Sequence, residues 1–216
     1  MDVNWLDLFR AADRFLVAMV EQNVVLVYVT LFAIFFSETG LVVMAFLPGD
    51  SLLFISGTVV ASAGLNVHAL VALLTLAAVL GDTVNYSIGR YIGPRVFDKP
   101  DSRWFKQEHL RRTQAFYDKY GGVTIIIGRF VPIVRTFAPF LAGVAGMTYR
   151  KFLAFNVIGG VLWISSLVYA GYIFGNIAWV KNNLSLIVVG IVAVSLIPVC
   201  STWLRERAAS RRSAGK

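Results

Sequence analysis

Three long runs of the chain carry no formally charged side chain. Residues 51–80, 152–180 and 182–204 contain no Asp, Glu, Lys or Arg. Since a helix rises 1.5 Å per residue, each run is long enough to cross a hydrocarbon core of about 30 Å. The whole sequence is 57% hydrophobic and only 15% charged, unlike a soluble domain. These features predict an all-α integral membrane protein.

Positive charge is concentrated beside the apolar runs. Residues 90–119 hold eight Lys or Arg against four Asp or Glu, and residues 205–216 hold five against one. Cytoplasmic loops are rich in Lys and Arg, so we expect both segments to be cytoplasmic. The net charge of +8 then requires no nucleic acid. Counting crossings predicts a multi-pass membrane protein with an external N-terminus and a cytoplasmic C-terminus.

Two further apolar tracts, 22–63 and 121–149, are interrupted by charge and by proline. Proline breaks helices and leaves arms that are marginal for a full crossing. We interpret both tracts as re-entrant helical hairpins, whose broken backbone must be buried in protein or line a wet cavity. The interrupting residues are Glu38, Pro48, Gly49 and Asp50 in the first tract and Arg129, Pro132, Arg135 and Pro139 in the second.

The order of segments indicates an internal repeat. A segment of mixed polarity, a broken tract and a crossing helix occur twice, and a shift of 91 positions places Glu38 on Arg129 and Pro48 on Pro139. Because the first crossing helix runs inward and the second outward, we predict an inverted-topology repeat, each copy starting with an amphipathic helix. The predicted boundaries are 5–93 for repeat one, 102–175 for repeat two, 184–203 for a C-terminal transmembrane helix and 205–216 for a basic tail.

Both crossing helices carry glycines four residues apart, in GRYIG at 89–93 and GYIFG at 171–175. This spacing allows helix backbones to approach closely. A phosphate-binding loop is the alternative, but no strand or P-loop lysine accompanies the glycines. We therefore expect them to be helix-packing positions.

The charged residues of the hairpins are expected to have a specific role, because placing an ionisable side chain at membrane depth costs at least about 2.5 kcal/mol of free energy. Arginine stays protonated and offers paired donors to phosphate, so Arg129 and Arg135 are candidate headgroup ligands. Desolvation favours a neutral carboxyl and a neighbouring arginine favours an ionised one. Glu38 and Asp50 are therefore candidate proton-exchange groups. Salt bridges that merely hold the hairpins together are the alternative.

The remaining polar residues carry weaker signals. Asp82 and Asn85 lie one turn apart on the predicted inward-crossing helix, where they would line a cavity or cap a hairpin. His68 and His109 have no Cys, Asp or Glu at ligand spacing, so we expect no metal. Cys200 is a lone cysteine and forms no disulfide within the chain. No hydrolytic arrangement is visible, so we expect neither an enzyme nor a cofactor.

Four elements together resemble the bacterial DedA family, which belongs to the superfamily that shares the VTT, or SNARE-associated, domain. They are FSETGLVVMAFLPGDSLLFISG, GDTVNYSIGRYIG, GRFVPIVRTFAPFLAGVAGMTYRKF and NVIGGVLWISSLVYAGYIFG. The resemblance spans roughly residues 20–205 and is more specific than any single motif above.

The resemblance implies an inner-membrane protein with two opposed hairpins that moves lipids between leaflets. Bacterial members include translocases that recycle undecaprenyl phosphate, and eukaryotic relatives scramble phospholipids. Members are also linked to the proton-motive force and envelope integrity, and they require motif residues that match Glu38, Asp50, Arg129 and Arg135. We therefore expect a lipid translocase whose partners are a polyprenyl phosphate or a phospholipid, and protons. A homo-oligomer is compatible with the sequence.

Two other functions stay open on the sequence alone. One is a proton-coupled exporter or antiporter of small cations or drugs, which would use the same carboxylates but has less need of two arginines. The other is a non-transporting envelope-assembly protein, in which the charges only lock the fold.

Overall fold

The computed structural model describes residues 23–41, 49–97, 117, 121–175 and 177. The predicted amphipathic starts of both repeats, Pro48, the helix at 184–203 and the basic tail lie outside the described residues, apart from Tyr117. The described part contains helices and no strand, which confirms the all-α class. The helices are α1 (Val24–Gly40), α2 (Gly49–Ser62), α3 (Val67–Phe97), α4 (Val123–Gly128), α5 (Pro132–Val144) and α6 (Tyr149–Phe174).

Two of these helices are long and apolar enough to cross a membrane. They are α3, over Val67–Gly93, and α6, over Tyr149–Phe174. They run antiparallel, because His68 contacts Tyr169 near one end and Tyr86 stacks on Phe152, with ring centroids 4.4 Å apart, towards the other. The remaining helices of the described part have 6 to 17 residues. The two antiparallel helices therefore form the frame on which the shorter helices pack.

The charge-free run 51–80 is not one continuous helix. Gly64 adopts a φ of +66°, a left-handed conformation that suits glycine, two residues after α2 ends. The Asn66 side chain then accepts hydrogen bonds from the backbone N–H groups of His68 at 2.9 Å and Ala69 at 3.1 Å, which caps α3. Local turn chemistry therefore divides an apolar run that hydropathy alone joins together.

Helices α1 and α2 form a pair that leaves and returns to the same end of α3. Near the start of α1, the Tyr28 hydroxyl donates to the Asn66 carbonyl at 3.5 Å. At its other end, Gly40 lies against the backbone of Gly81, so α1 runs parallel to α3. Helix α2 then leads back to the turn before α3. The end of α1 consequently lies beside the middle of α3, and Gly49 at the start of α2 lies against Glu38 near the end of α1.

Helices α4 and α5 likewise form a pair that leaves and returns to the same end of α6. Gly122, just before α4, lies against the ring of Phe155, and Ile126 lies beside Gly159, so α4 runs parallel to α6. Helix α5 then leads back to the turn at Gly146, just before α6. The two helical pairs thus stand in equivalent positions on two antiparallel frame helices. We call α1–α3 the first half of the described chain and α4–α6 the second half.

The second helix of each pair crosses the frame helix of the other half at close range. At each crossing an added Cβ on glycine would collide with a backbone carbonyl of the facing helix, so the helices can meet only where side chains are absent. This confirms the packing role predicted for the glycines. The facing residues are Gly171 with Phe54 and Gly57 with Val168, and, in the other crossing, Gly89 with Phe140 and Gly143 with Tyr86.

These contacts favour a different register from the one the sequence suggested. Equivalent glycines Gly57 and Gly143 are 86 positions apart rather than 91, so Pro139 has no counterpart in Pro48. Pro139 also does not break its helix, since it lies inside α5. Asn85 donates to the Thr136 carbonyl at 2.8 Å, one turn before Pro139. This bond ties α3 to α5 one turn before the proline.

Candidate functional site

Two buried arginines meet two buried carboxylates and one partly buried carboxylate where the ends of the paired helices come together. Arg129 is 2% exposed and Arg135 is 6% exposed, while Asp50 has the most exposed carboxylate at 14%. The position is near the middle of both frame helices, since Asp82 lies two residues past the centre of the span Val67–Gly93. Burial at that depth needs local partners, because bulk water does not screen these charges. The carboxylates belong to Glu38, Asp50 and Asp82.

Arg135, on α5, joins both helices of the opposite pair. Its Nη2 donates to Glu38 Oε1 at 2.7 Å, and its Nη1 donates to Asp50 Oδ1 at 2.5 Å. Glu38 lies near the end of α1 and Asp50 in the first turn of α2. The planar fork of a guanidinium can hold two oxygen acceptors at once in this way. A single side chain of the second half therefore ties the end of α1 to the start of α2.

Gly49 explains how α1 and α2 approach so closely at this point. A Cβ on Gly49 would fall on the Glu38 carboxylate. The chain therefore needs glycine directly before Asp50 for both acids to reach one guanidinium. Pro132, by contrast, occupies the first turn of α5, where the missing N–H has no helical partner to lose.

Arg129, at the end of α4, is held by the frame helices. Its Nη2 donates to Asp82 on α3 and to the side-chain oxygen of Asn156 on α6. Asn156 is fixed in turn, because its Nδ2 donates to the Val79 carbonyl at 3.2 Å. Gly159 also lies against the aliphatic part of the Arg129 side chain. The two arginines therefore form separate clusters, and Arg129 is paired with neither Glu38 nor Asp50.

Asn85 links the two helical pairs to α3. Its Nδ2 donates to the Thr39 carbonyl on α1 at 3.3 Å and to the Thr136 carbonyl on α5 at 2.8 Å. Asp82 and Asn85 are both buried, as residues one turn apart on a single helix face can be. Asp82 binds an arginine, whereas Asn85 holds backbone from both halves.

Trp163 and Asn156 were not identified by sequence reasoning. The Trp163 indole N–H donates to Asp50 Oδ1 at 3.0 Å, and its ring centroid lies 4.4 Å from Arg135 Cζ and 5.8 Å from Arg129 Cζ. A buried indole or amide must find polar partners, so a tryptophan and an asparagine inside the charge-free run 152–180 were the available signal.

Several buried polar atoms of the site have no hydrogen-bond partner among the described residues. A buried atom left in this state costs about 1–3 kcal/mol, so the two ion-pair clusters do not saturate the site. Glu38 and Asp82 can each still accept a hydrogen bond, and Arg129 can still donate. The unpartnered atoms of the site are Glu38 Oε2, Ser51 Oγ, Asp82 Oδ1, Asn85 Oδ1, and Arg129 Nε and Nη1.

Metal binding has no support in the part of the chain that the structure describes. That part contains no group of three or more His, Cys, Asp or Glu side chains arranged to hold a metal ion. His68 Nδ1 lies 2.6 Å from the Tyr169 hydroxyl. His109 lies outside the described residues. The chemistry that this arrangement offers is therefore ion pairing, anion binding and proton exchange.

Comparison with known proteins adds a family to this geometry. The model of the VTT domain matches residues 47–173, which include both arginines, Asp50, all of α3 and all but the last residue of α6. The matched segment is more than half of the chain. No solved structure gives a significant match.

Curated relatives cover most of the chain. Protein DedA of Escherichia coli K12 is 49% identical over 97% of this chain and 96% of its own. A Mycobacterium tuberculosis protein named as an uncharacterized membrane protein is 46% identical over 83% of this chain and 80% of its own. Inner membrane protein YghB of E. coli K12 is 35% identical over 77% of this chain and 76% of its own. The chain therefore belongs to the DedA family of VTT-domain membrane proteins.

Proposed function

We propose that the chain is a translocase that moves an anionic, phosphate-bearing lipid between the leaflets of the bacterial inner membrane and exchanges protons as it does so. Undecaprenyl phosphate and phospholipids are the substrates that the family resemblance suggests. The headgroup passes through the buried charged site, and the hydrocarbon chain stays in the bilayer.

One observation carries this proposal: a single guanidinium, on Arg135, is shared by Glu38 and Asp50 where the two helical pairs meet. A phosphate has the same acceptor geometry as the two carboxylates and can replace them on the fork. A pair kept only for stability gains little from burial, since an apolar replacement often does as well. A shared arginine at membrane depth is better explained by an exchangeable ligand.

Charge balance supports the exchange of protons. Among the residues that the structure describes, the site has three carboxylates against two guanidiniums, so these five groups carry one excess negative charge when all are ionised. A phosphate that binds Arg135 adds further negative charge and takes the guanidinium away from Glu38, whose other carboxylate oxygen has no hydrogen-bond partner among the described residues. A carboxylate without a partner in a low-dielectric site takes up a proton. Loading the lipid is therefore linked to proton uptake, and release of the lipid to proton loss.

The fold suggests how access alternates. In this proposal each helical pair is a re-entrant hairpin, because each pair leaves and returns to one end of its frame helix and its first helix ends beside that helix. The hairpins enter from opposite sides, α3 and α6 cross the membrane, and the C-terminus is cytoplasmic. Rocking of one half against the other would open the site first to one leaflet and then to the other.

The test is a flux assay that distinguishes headgroups. The full chain is reconstituted in vesicles, and leaflet exchange is followed for labelled undecaprenyl phosphate, phosphatidylglycerol and phosphatidylethanolamine. We expect exchange of at least one phosphate lipid, its loss in Arg135→Ala, and its retention in Arg150→Ala, which removes an exposed arginine at the start of α6. Equal exchange by the wild type and by Arg135→Ala for all three lipids would contradict the proposal.

The excess of carboxylates also favours a second candidate, a proton-coupled antiporter of small cations. Such a protein would use Glu38 and Asp50 but would not need Arg135 to bind cargo. Flux of sodium or potassium against a proton gradient, independent of the lipid headgroups, would select this alternative.

A further inference from the structure

We propose that Trp163 is a positioning residue that couples the two arginine clusters and holds Asp50 while Arg135 binds a lipid phosphate. The inference rests on the proposed function and adds a residue and a step to it. Trp163 lies near the middle of α6 and is 1% exposed. It contacts groups from both halves of the described chain.

The first contact is with the acid that shares Arg135. The indole N–H donates to Asp50 Oδ1, the same oxygen that accepts Arg135 Nη1. When a phosphate takes the guanidinium, the indole still donates to this carboxylate. A buried carboxylate that keeps a donor is less costly than one that loses it. Trp163 therefore lowers the cost of the step in which phosphate replaces Asp50.

The second contact is with the guanidinium groups themselves. The ring centroid lies 4.4 Å from Arg135 Cζ and 5.8 Å from Arg129 Cζ, both within the range of a cation–π interaction. Gly159, one turn before Trp163 on α6, packs against the Arg129 side chain. One face of α6 thus supports both arginines, so a displacement of Arg135 is transmitted through the ring to the Arg129 cluster.

The edge of the ring also limits how Trp163 can move. Phe35 on α1 meets it in a T-shaped contact with centroids 6.3 Å apart. The indole consequently contacts residues of α1, α2 and α5. The relative positions of these helices must change if the site opens to one leaflet and then to the other. A movement of one helical pair therefore changes the contacts of Trp163 with the other pair.

Fluorescence tests whether Trp163 responds to phosphate at Arg135. The chain has five tryptophans, and replacing four of them by Phe leaves Trp163 as the only indole. The purified full chain in detergent is titrated with a short-chain prenyl phosphate, and with the corresponding prenyl alcohol as the control. We expect the emission spectrum to change with the phosphate alone, and the change to disappear in Arg135→Lys but not in Arg150→Ala. The replaced residues are Trp5, Trp104, Trp179 and Trp203.

A double-mutant cycle separates positioning from a merely structural role. Trp163→Phe keeps a ring and removes the N–H, so we expect it to weaken equilibrium binding of radiolabelled prenyl phosphate about tenfold. In Asp50→Asn, which lacks the charge that needs the donor, the same change should weaken binding less than about twofold. A structural role would lower the melting temperature and weaken binding similarly in both backgrounds.

The outcomes are distinguishable from those of the proposed function. If the vesicles exchange lipid but Trp163 emission does not respond to the phosphate, or the effects of the two substitutions are additive, this inference is overturned and the proposed translocase function is not. A spectral response and a non-additive cycle without lipid exchange would support the coupling role of Trp163 and overturn translocation.

Discussion

Arg135 and Arg129 lie in the same buried layer but are held by different parts of the molecule. Arg135 bonds to the ends of α1 and α2, which belong to the opposite half, and one of its partners, Asp50, is 14% exposed. Arg129 bonds to the frame helices through Asp82 and Asn156, and its ion pair is 2% exposed on both sides. The comparison suggests that Arg135 exchanges ligands, whereas Arg129 holds α4 on the frame and contributes positive charge.

The largest expected effect separates the two arginines in activity. Arg135→Ala should lower lipid exchange by at least about 100-fold, since it removes both hydrogen bonds of the shared fork. Arg135→Lys should recover little, because a lysine is a single point charge without the planar pair of donors. Exchange rates per folded protein in vesicles provide the measurement. An active Arg135→Lys would show that charge alone is sufficient and would weaken the phosphate-fork argument.

A charge swap sharpens the comparison further. The partner of Glu38 is Arg135 and not Arg129, so the informative exchange is Glu38→Arg with Arg135→Glu. It is made in an Asp50→Asn background and compared with Asp50→Asn alone, because Asp50 shares Arg135 and would otherwise face a second carboxylate. If the charges only lock the fold, the swap should restore both melting temperature and activity. The translocase predicts a protein that regains stability over either single variant and stays at least about 100-fold less active, because the phosphate ligand has changed position. Recovery of both properties would select the non-transporting envelope-assembly alternative.

Substitution of Arg129 should instead mainly lower the free energy of unfolding. Arg129→Ala leaves Asp82 buried without its cation, which costs about 3–5 kcal/mol. The double variant Arg129→Met with Asp82→Leu removes both charges and should recover most of that loss, as apolar replacements of buried pairs often do. Denaturation in detergent measures both values. If the apolar double variant is as stable as the wild type and still exchanges lipid, Arg129 takes no part in binding.

Several parts of this arrangement could be predicted from the sequence. The interrupted apolar tracts identified Glu38, Asp50, Arg129 and Arg135 as the groups that need explanation, because charge at membrane depth is costly. The helix-packing glycines were also predictable, because small residues four apart have one common use in such helices.

The partners could not be predicted, because helix register decides them. A sequence shift of 91 places Glu38 on Arg129, whereas the close crossings of α2 and α5 favour 86. Whether a proline interrupts a helix depends on the packing around it, which the sequence does not place, and Pro139 lies inside α5. Charge spacing therefore identified the set of groups but not the pairs.

The smallest expected effects concern the glycines, and they test whether the contact of α1 with α2 at Arg135 is as close as the comparison implies. In Gly49→Ala the new Cβ meets the Glu38 carboxylate. The acid must move off the guanidinium, so we expect a loss of about 1–3 kcal/mol together with reduced lipid exchange. Gly64→Ala is the matched control, because a Cβ there meets no atom within 4 Å and only the left-handed φ is strained. It should cost about 1–2 kcal/mol and leave exchange unchanged. If the two variants lose stability and exchange equally, close contact between Glu38 and the start of α2 is not what holds the acids on Arg135, and the distinction between the two arginine clusters loses its structural basis.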